Sequence, residues 1–438
     1  MRVLLALPVD ERMCVHPYNQ HPLGLLSIAQ YLQDHLPGVE IAVISGALDL
    51  DDIERFEPDL LGLTALSPFF SQCAALAEAV RARFPALPIA AGGHHVAYLP
   101  GSLPRAIDVA VRGEGEQVML ELCRQLAEGP GLDPEALGAI AGLHYWRDGR
   151  LRSTPDRESC LPAEQLPVIR NLDLCEFRSG RPTELHLVTT RGCPYRCRFC
   201  SSAPFWKGVR YLPAASVAEQ IEYYLDHFAP EQIEFADDLM IASKEHLRGI
   251  HELIIERGLH RRSTFTCWAT GKHLDDETLR LLREMNVTGM SIAIESGSPE
   301  VYRYLKGTWS TPEENADAVR RAHAAGVFVH ICVIVGSPPE TVEDLECTLQ
   351  YLEALPCHNG TVSLLRPYPG SRLWQEAAER GLVSDGLDDW SRIESDDVMD
   401  PATIFLGERA TRAEVHRYMQ AMRELFEARR EDGGPTAQ

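Results

Sequence analysis

From residue 2 to residue 365 the chain repeats one local theme: a short apolar run, an amphipathic stretch at helical spacing, then another short run. That alternation leads to parallel sheets flanked by helices, because two parallel strands need a long crossover between them. The theme breaks once. Between about residues 146 and 183, Pro155, Pro162 and Pro167 interrupt every regular pattern. The expected layout is therefore α/β, with one domain over 1–145, a connector over 146–183, a second domain over 184–400 and a helical tail over 401–438. At 438 residues the chain is long enough for two hydrophobic cores.

In the first domain the pattern predicts strands at Arg2–Leu7, Ile41–Ile44, Leu60–Leu63, Pro88–Ala91 and Val109–Val111. Helices are predicted at Leu23–Leu36, about 71–83 and about 117–126, which makes a doubly wound, Rossmann-like sheet. Glycine-bearing turns follow the fourth and fifth strands: Gly92-Gly93-His94 and Gly113-Glu114-Gly115-Glu116. Strand carboxyl ends are where open parallel sheets bind ligands, and glycine admits a ligand close to the backbone. Neither turn is a dinucleotide fingerprint. Past this sheet, Ala141–Tyr145 and Arg150–Ser153 flank Asp148-Gly149 and predict a hairpin with a type I′ turn.

The second domain offers strands near Leu185–Val188, Gln232–Phe235, Thr264–Trp268, Gly289–Ile294, Val327–Val335 and Thr361–Leu365, with helices between. Six strand–helix units fit a partial (β/α)6 barrel of the TIM type, whose reactive face lies at the strand carboxyl ends. The first strand runs straight into Arg191-Gly192-Cys193-Pro194-Tyr195-Arg196-Cys197-Arg198-Phe199-Cys200. Thiolates are the soft ligands that iron–sulfur clusters select. Three close thiolates hold three irons of a four-iron cluster and leave one iron open, the condition for a reactive metal site. A structural zinc site completed by His186 competes with this reading, but His186 falls in the apolar alternation of the first strand, where it packs. Buried, unreactive cysteines compete too; the polar surroundings argue for a loop.

Thr189-Thr190-Arg191-Gly192-Cys193-Pro194, followed by Cys197 and Phe199-Cys200, resembles the signature loop of the radical S-adenosylmethionine (SAM) superfamily. The resemblance implies a [4Fe-4S] cluster on Cys193, Cys197 and Cys200, whose open iron binds SAM and whose electron cleaves it to a 5′-deoxyadenosyl radical. It also implies an electron donor such as flavodoxin or ferredoxin. Phe199 would line the adenine, Asp237 and Asp238 would meet the SAM amino group, and Glu295, Ser296 and Gly297 would meet its ribose and methionine part. Gly336, in Val333–Thr341, would approach the adenine, with Glu340 as a first-turn helix charge; Arg366-Pro367-Tyr368-Pro369-Gly370 completes the likeness. The first domain is similar to the cobalamin-binding domain that precedes many of these enzymes, through His21–Leu26, Gly62-Leu63-Thr64 with Ser67, Ala91–His94 and Arg112–Glu116. On that likeness Thr64 and Ser67 face the lower side of the corrin, and Gly92, Gly93, His94, Gly113, Glu114, Gly115 and Glu116 line its nucleotide tail. The axial-histidine motif DxHxxG of other cobalamin domains is absent, and His21 reads as part of the helix start.

A net charge of −22 argues against nucleic acid and anionic membranes as partners. No apolar run reaches the length of a membrane span, and Met1-Arg2 leads directly into a strand without a signal-peptide pattern. Twelve cysteines without a secreted-type framework read as reduced, cytoplasmic thiols. The expectation is a cobalamin-dependent radical SAM enzyme acting on a small molecule, foremost a methyltransferase at an unactivated carbon. Cyclisation, oxidation or ring rearrangement without methyl transfer, and a non-catalytic iron–sulfur or corrinoid sensor, stay open at this point. In the tail, residues 385–400 are expected as an acidic rim over the barrel mouth, and Thr411–Arg429 as a helix with Val415, Met419, Met422 and Phe426 on one stripe.

Overall fold

The computed structural model describes residues 1–8, 21–129, 131–177, 184–387 and 389–431. The chain forms two compact units, the first made of 1–185 with 205–207 and 384–391, the second of the remainder.

The first unit is built on strands β1 (Arg2–Leu7), β2 (Glu40–Ser45), β3 (Leu60–Thr64), β4 (Ile89–Gly92), β5 (Val109–Val111), β6 (Leu143–Arg147), β7 (Arg150–Ser153) and β8 (Cys175–Phe177). Their order in the sheet is β7-β6-β5-β4-β3-β1-β2-β8. β2, β1, β3, β4 and β5 run parallel. Helices cover both faces, so Val3, Leu4, Leu5 and Ala6 of the central strand are at most 1% exposed. The order 2-1-3-4-5 is flavodoxin-like, with its switch point between β1 and β3, and puts Thr64 at the ligand edge. Residues 146–177, expected as a connector, instead extend this sheet. β6 and β7 form an antiparallel hairpin on β5, and β8 pairs with β2. Asp148 and Gly149 turn that hairpin at φ +50° and +72°, as a type I′ turn requires.

The second unit carries β9 (Glu184–Leu187), a ribbon of β10 (Thr190–Arg191) with β11 (Arg210–Tyr211), then β12 (Gln232–Phe235), β13 (Thr264–Ala269), β14 (Val287–Glu295), β15 (Phe328–Val335) and β16 (Asn359–Leu364). Six of these make one sheet in the order β16-β15-β14-β13-β12-β9, and β12 to β16 pair in parallel. β9 and β16 lie at its two ends, so the barrel is partial. Its helices start where hydroxyl and carboxylate caps stand: Thr311 with Glu314 and Thr341 with Asp344 both form capping boxes.

The helix Arg412–Glu431 places Val415, Met419, Met422 and Phe426, each at most 1% exposed, in the core. Phe426 packs on β16 at Gly360, where a Cβ would come within 2.4 Å of its ring. The acidic stretch is no loose rim in its second half. Arg366 pairs with Glu394 at 2.6 Å and Asp396 at 3.0 Å, while Asp396 also accepts from the Leu364 amide at 2.9 Å and pairs with Arg423 at 3.2 Å. Those carboxylates staple the segment to the end of β16.

Candidate active site

The cysteine loop leaves the carboxyl end of β9 and is held at three points. At its entrance stands Asp237, just past β12 and buried. Its carboxylate accepts from the Thr189 and Thr190 amides at 2.7 and 2.5 Å and from their hydroxyls at 3.1 and 2.8 Å. Burial pushes its pKa up to about 7 although all four bonds pull it down. This overturns the expectation that Asp237 meets an ammonium group: four donors already occupy its oxygens. Its neighbour Asp238 is exposed and takes the Ser202 hydroxyl at 2.5 Å, which leaves it the better partner for a cation.

The second hold is Arg198, between Cys197 and Cys200. Its amide donates to the Leu305 carbonyl at 2.8 Å and its Nε to the Tyr304 carbonyl at 3.0 Å. Its guanidinium pairs with Glu376, and its own carbonyl accepts from the Leu373 amide at 3.0 Å. The third is Tyr195, stacked on Trp309 at 3.5 Å between centroids, its hydroxyl 2.5 Å from His273 Nε2. Sequence reasoning passed over both residues. An arginine and a tyrosine inside a metal loop read as solvated, and their partners lie 78 to 178 positions away.

Cys193, Cys197 and Cys200 are free thiols, each partly exposed. No grouping of three ligand atoms within 4.8 Å of one another, among the described residues, includes them. One tetrahedral zinc with 2.3 Å bonds would hold its sulfurs roughly 3.8 Å apart. A donor set of three thiols suits a polynuclear iron–sulfur cluster. His186 is buried with its Nε2 3.0 Å from a Glu234 oxygen, in keeping with a packed histidine. Burial pushes the Cys197 and Cys200 thiols up to about 12 and about 11, so they stay protonated until a metal displaces the proton.

The remaining SAM candidates divide. Phe199 is half-buried within the loop. Ser296 is fully buried and its hydroxyl pairs with Thr348 at 3.0 Å; the Gly297 amide donates to the same hydroxyl at 3.2 Å. A Cβ on Gly297 would come within 2.6 Å of Tyr351, so both residues pack against the helix that carries Thr348 and Tyr351. Glu295 has φ +63° at an irregularity in β14 and lies buried against Lys306, its Oε1 3.0 Å from Nζ. One of its two carboxylate oxygens is therefore committed to an ion pair. Gly336, at φ +84°, donates its amide to Glu340 Oε2 at 2.5 Å, and Ser337 donates to the same oxygen at 3.1 Å. Glu340 therefore folds back to brace the turn instead of facing solvent as a first-turn charge.

In the first unit, Thr64, Gly92, Gly93, His94, Gly113 and Glu114 gather at the strand ends, all partly exposed. Gly93 is at φ +114°, and a Cβ there would sit 2.8 Å from the Ala65 carbonyl oxygen; around Gly113 nothing lies within 4 Å of one. An edge so poor in side chains leaves room for a large planar group. Ser67 does not belong to it: it is buried, its Oγ 3.1 Å from Nδ1 of fully buried His95. Gly115 and Glu116 pack inward too, Gly115 against Ile28, where a Cβ would come within 2.6 Å, and Glu116 accepting from the Ser27 hydroxyl at 2.6 Å. His95 is clamped between Ser67 and Ser102 and stacked on Phe70, so it offers no ligand to a metal above the edge. His21 is 2% exposed just before the helix Leu23–His35, the place read for it from the sequence. No described helix is long and apolar enough to cross a membrane.

Comparison with known proteins agrees with both halves of this picture. Residues 187–352 match the radical SAM superfamily and residues 14–123 the B12-binding domain. An uncharacterized methyltransferase of Pyrococcus horikoshii is 29% identical over 87% of this chain and 84% of its own. The anaerobic magnesium-protoporphyrin IX monomethyl ester cyclase of Rubrivivax gelatinosus is 26% identical over 76% of this chain and 61% of its own. In fold, the radical SAM methyltransferase TsrM of Kitasatospora setae, solved with cobalamin and a [4Fe-4S] cluster, superposes with a TM-score of 0.73 over 96% of this chain and 90% of that one, at 20% identity. With a three-thiol loop behind a flavodoxin-like sheet and both domain families matched in that order, the chain belongs to the cobalamin-dependent radical SAM enzymes, whose cofactors are a [4Fe-4S] cluster, SAM and cobalamin.

Proposed function

We propose that this enzyme methylates an unactivated carbon of a small molecule. The observation that carries the reading is the pairing of a cluster loop of three thiols with a side-chain-poor strand edge in a B12-binding domain. When bound, the cluster with SAM supplies a hydrogen-abstracting radical, and cobalamin supplies a transferable methyl group. The chain's own residues do the positioning. Cys193, Cys197 and Cys200 hold the cluster; Asp237, Arg198 and Tyr195 fix the loop. Asp238 offers a carboxylate to the SAM ammonium, and Phe199 a ring to its adenine, with Gly336 at the turn braced by Glu340. Thr64, Gly92, Gly93, His94, Gly113 and Glu114 border the corrin and its tail.

The relatives support methyl transfer and also its rival. The Pyrococcus relative is named a methyltransferase, and TsrM has been solved with tryptophan as substrate. The cyclase relative stands for radical chemistry that closes a ring instead. For this chain we infer a small-molecule substrate, a cytoplasmic location suited to oxidisable thiols, and a low-potential one-electron donor of the flavodoxin or ferredoxin kind.

The test is product analysis after anaerobic reconstitution with iron, sulfide and cobalamin. Methyl transfer predicts S-adenosylhomocysteine and 5′-deoxyadenosine forming together, with a product heavier by one methylene. Turnover that yields 5′-deoxyadenosine and an altered product without S-adenosylhomocysteine would favour the ring-forming or oxidative reading.

A further inference from the structure

The helix Pro299–Lys306 ends on a lysine that is only 5% exposed, and a cation so placed calls for a reason. Lys306 Nζ lies 3.0 Å from Glu295 Oε1 and 3.2 Å from the Ala293 carbonyl oxygen. Two rings flank it, Trp309 at 5.2 Å and Tyr302 at 5.9 Å from the ammonium. Trp309 is the ring that Tyr195 of the cluster loop stacks on. The backbone binds the same two segments: Arg198, next to Cys197, donates its amide to Leu305, next to Lys306, at 2.8 Å.

We propose that the Lys306–Glu295 pair, held beside the cysteine loop through Leu305 and Trp309, sets the reduction potential of the cluster. The inference rests on the cluster assignment, not on methyl transfer. Three thiolates leave the cluster anionic, and the electron it takes from a low-potential one-electron donor adds a further negative charge with no proton moving. A buried cation nearby stabilises that added charge, because little water screens it. The Arg198–Leu305 backbone bond and the Tyr195–Trp309 stack, with Trp309 5.2 Å from the ammonium, hold that cation beside the cysteine loop. Glu295 Oε1 at 3.0 Å and the Ala293 carbonyl at 3.2 Å supply the acceptors that keep a buried ammonium charged. The left-handed backbone at Glu295 fits the same purpose, since strain held at a functional turn aims a side chain that a regular strand would point elsewhere.

The experiment is a redox titration followed by electron paramagnetic resonance, on the full reconstituted chain without SAM, with iron content checked in every sample. Lys306→Met should lower the reduced-to-oxidised ratio at fixed potential about tenfold, a shift of about 59 mV downward for a one-electron couple. Glu295→Gln should shift the potential upward, because it leaves the cation uncompensated. Lys306→Arg should stay within about threefold of the wild-type ratio. If Lys306→Met strands Glu295 and fails to fold, Lys306→Met with Glu295→Gln removes both charges and should still titrate below wild type. Potentials equal to wild type in the folded charge-removing variants, or single variants shifting the same way, would overturn the proposal. A lysine that only holds SAM would leave this titration unmoved, and such a result counts against it.

Discussion

At the carboxyl ends of β3, β4 and β5 the first unit presents Thr64, three glycines, His94 and Glu114, with nothing within 4 Å of a Cβ on Gly113. At the ends of β9 and β12 the second unit presents a loop tied by a buried aspartate, an arginine and a tyrosine. In the proposed assignment each edge serves a cofactor, and the two cofactors ask for different things. A corrin is large, preformed and chemically complete, so the protein's task is to leave room and shape; Gly93 serves the turn that forms this edge, since a Cβ there would strike the Ala65 carbonyl oxygen at 2.8 Å. A cluster is small and bound through thiolates whose geometry, protonation and potential the protein has to set, so side-chain bonds do the work there. The comparison predicts that substitutions at one edge spare the other cofactor.

The largest effect should come from Cys197→Ala, which removes one cluster ligand: SAM cleavage falls to background while cobalamin still binds, as absorbance of the loaded protein would report. Asp237→Ala leaves four donors at the loop entrance unanswered, and iron retention on gel filtration should weaken about 10- to 100-fold, the range for residues that orient metal ligands. Arg198→Met loosens the same loop at its middle, with an expected loss of about tenfold in iron retention. Gly93→Ala breaks the comparison from the other side. Its φ of +114° and the 2.8 Å approach to Ala65 predict a loss of about 1–3 kcal/mol in the first unit, seen as a lower thermal midpoint and weaker cobalamin binding with iron unchanged. If iron retention falls instead, the two edges are not independent. The smallest effect is a pH slope. Asp237 holds its proton up to about pH 7 in the fold against an ordinary value of 3.8, so the native state binds more protons and loses stability as pH rises from about 4 to 7. Asp237→Asn has nothing to titrate, and the difference between the two stability profiles should flatten above that window.

Much of this was legible in the sequence, for reasons that are local. Strand and helix positions followed from apolar periodicity, and the three thiols from spacing alone. Asp148-Gly149 declared its turn because few residues accept positive φ twice running. The failures share one cause: a motif names residue types near a ligand but not which of them is already engaged. Asp237 and Asp238 are adjacent in sequence, yet one is buried under four donors and the other faces solvent. Ser296, Gly297 and Glu116 sit in the expected turns but bond to helices 52, 51 and 89 positions away. The connector misled because its prolines broke periodicity, while β8 needs only three residues to pair with β2. Lys306 carried no signal at all. A lysine at the end of a helix reads as a solvated last-turn charge, and only tertiary packing buries it.

The central claim is that Cys193, Cys197 and Cys200 hold a cluster with one iron free to bind and cleave SAM. The most direct measurement is 5′-deoxyadenosine released on one-electron reduction of the anaerobically reconstituted protein with SAM, alongside iron per chain. The account predicts about four irons per chain and release that vanishes in Cys197→Ala. A full complement of iron with no 5′-deoxyadenosine, or zinc in place of iron, would contradict it.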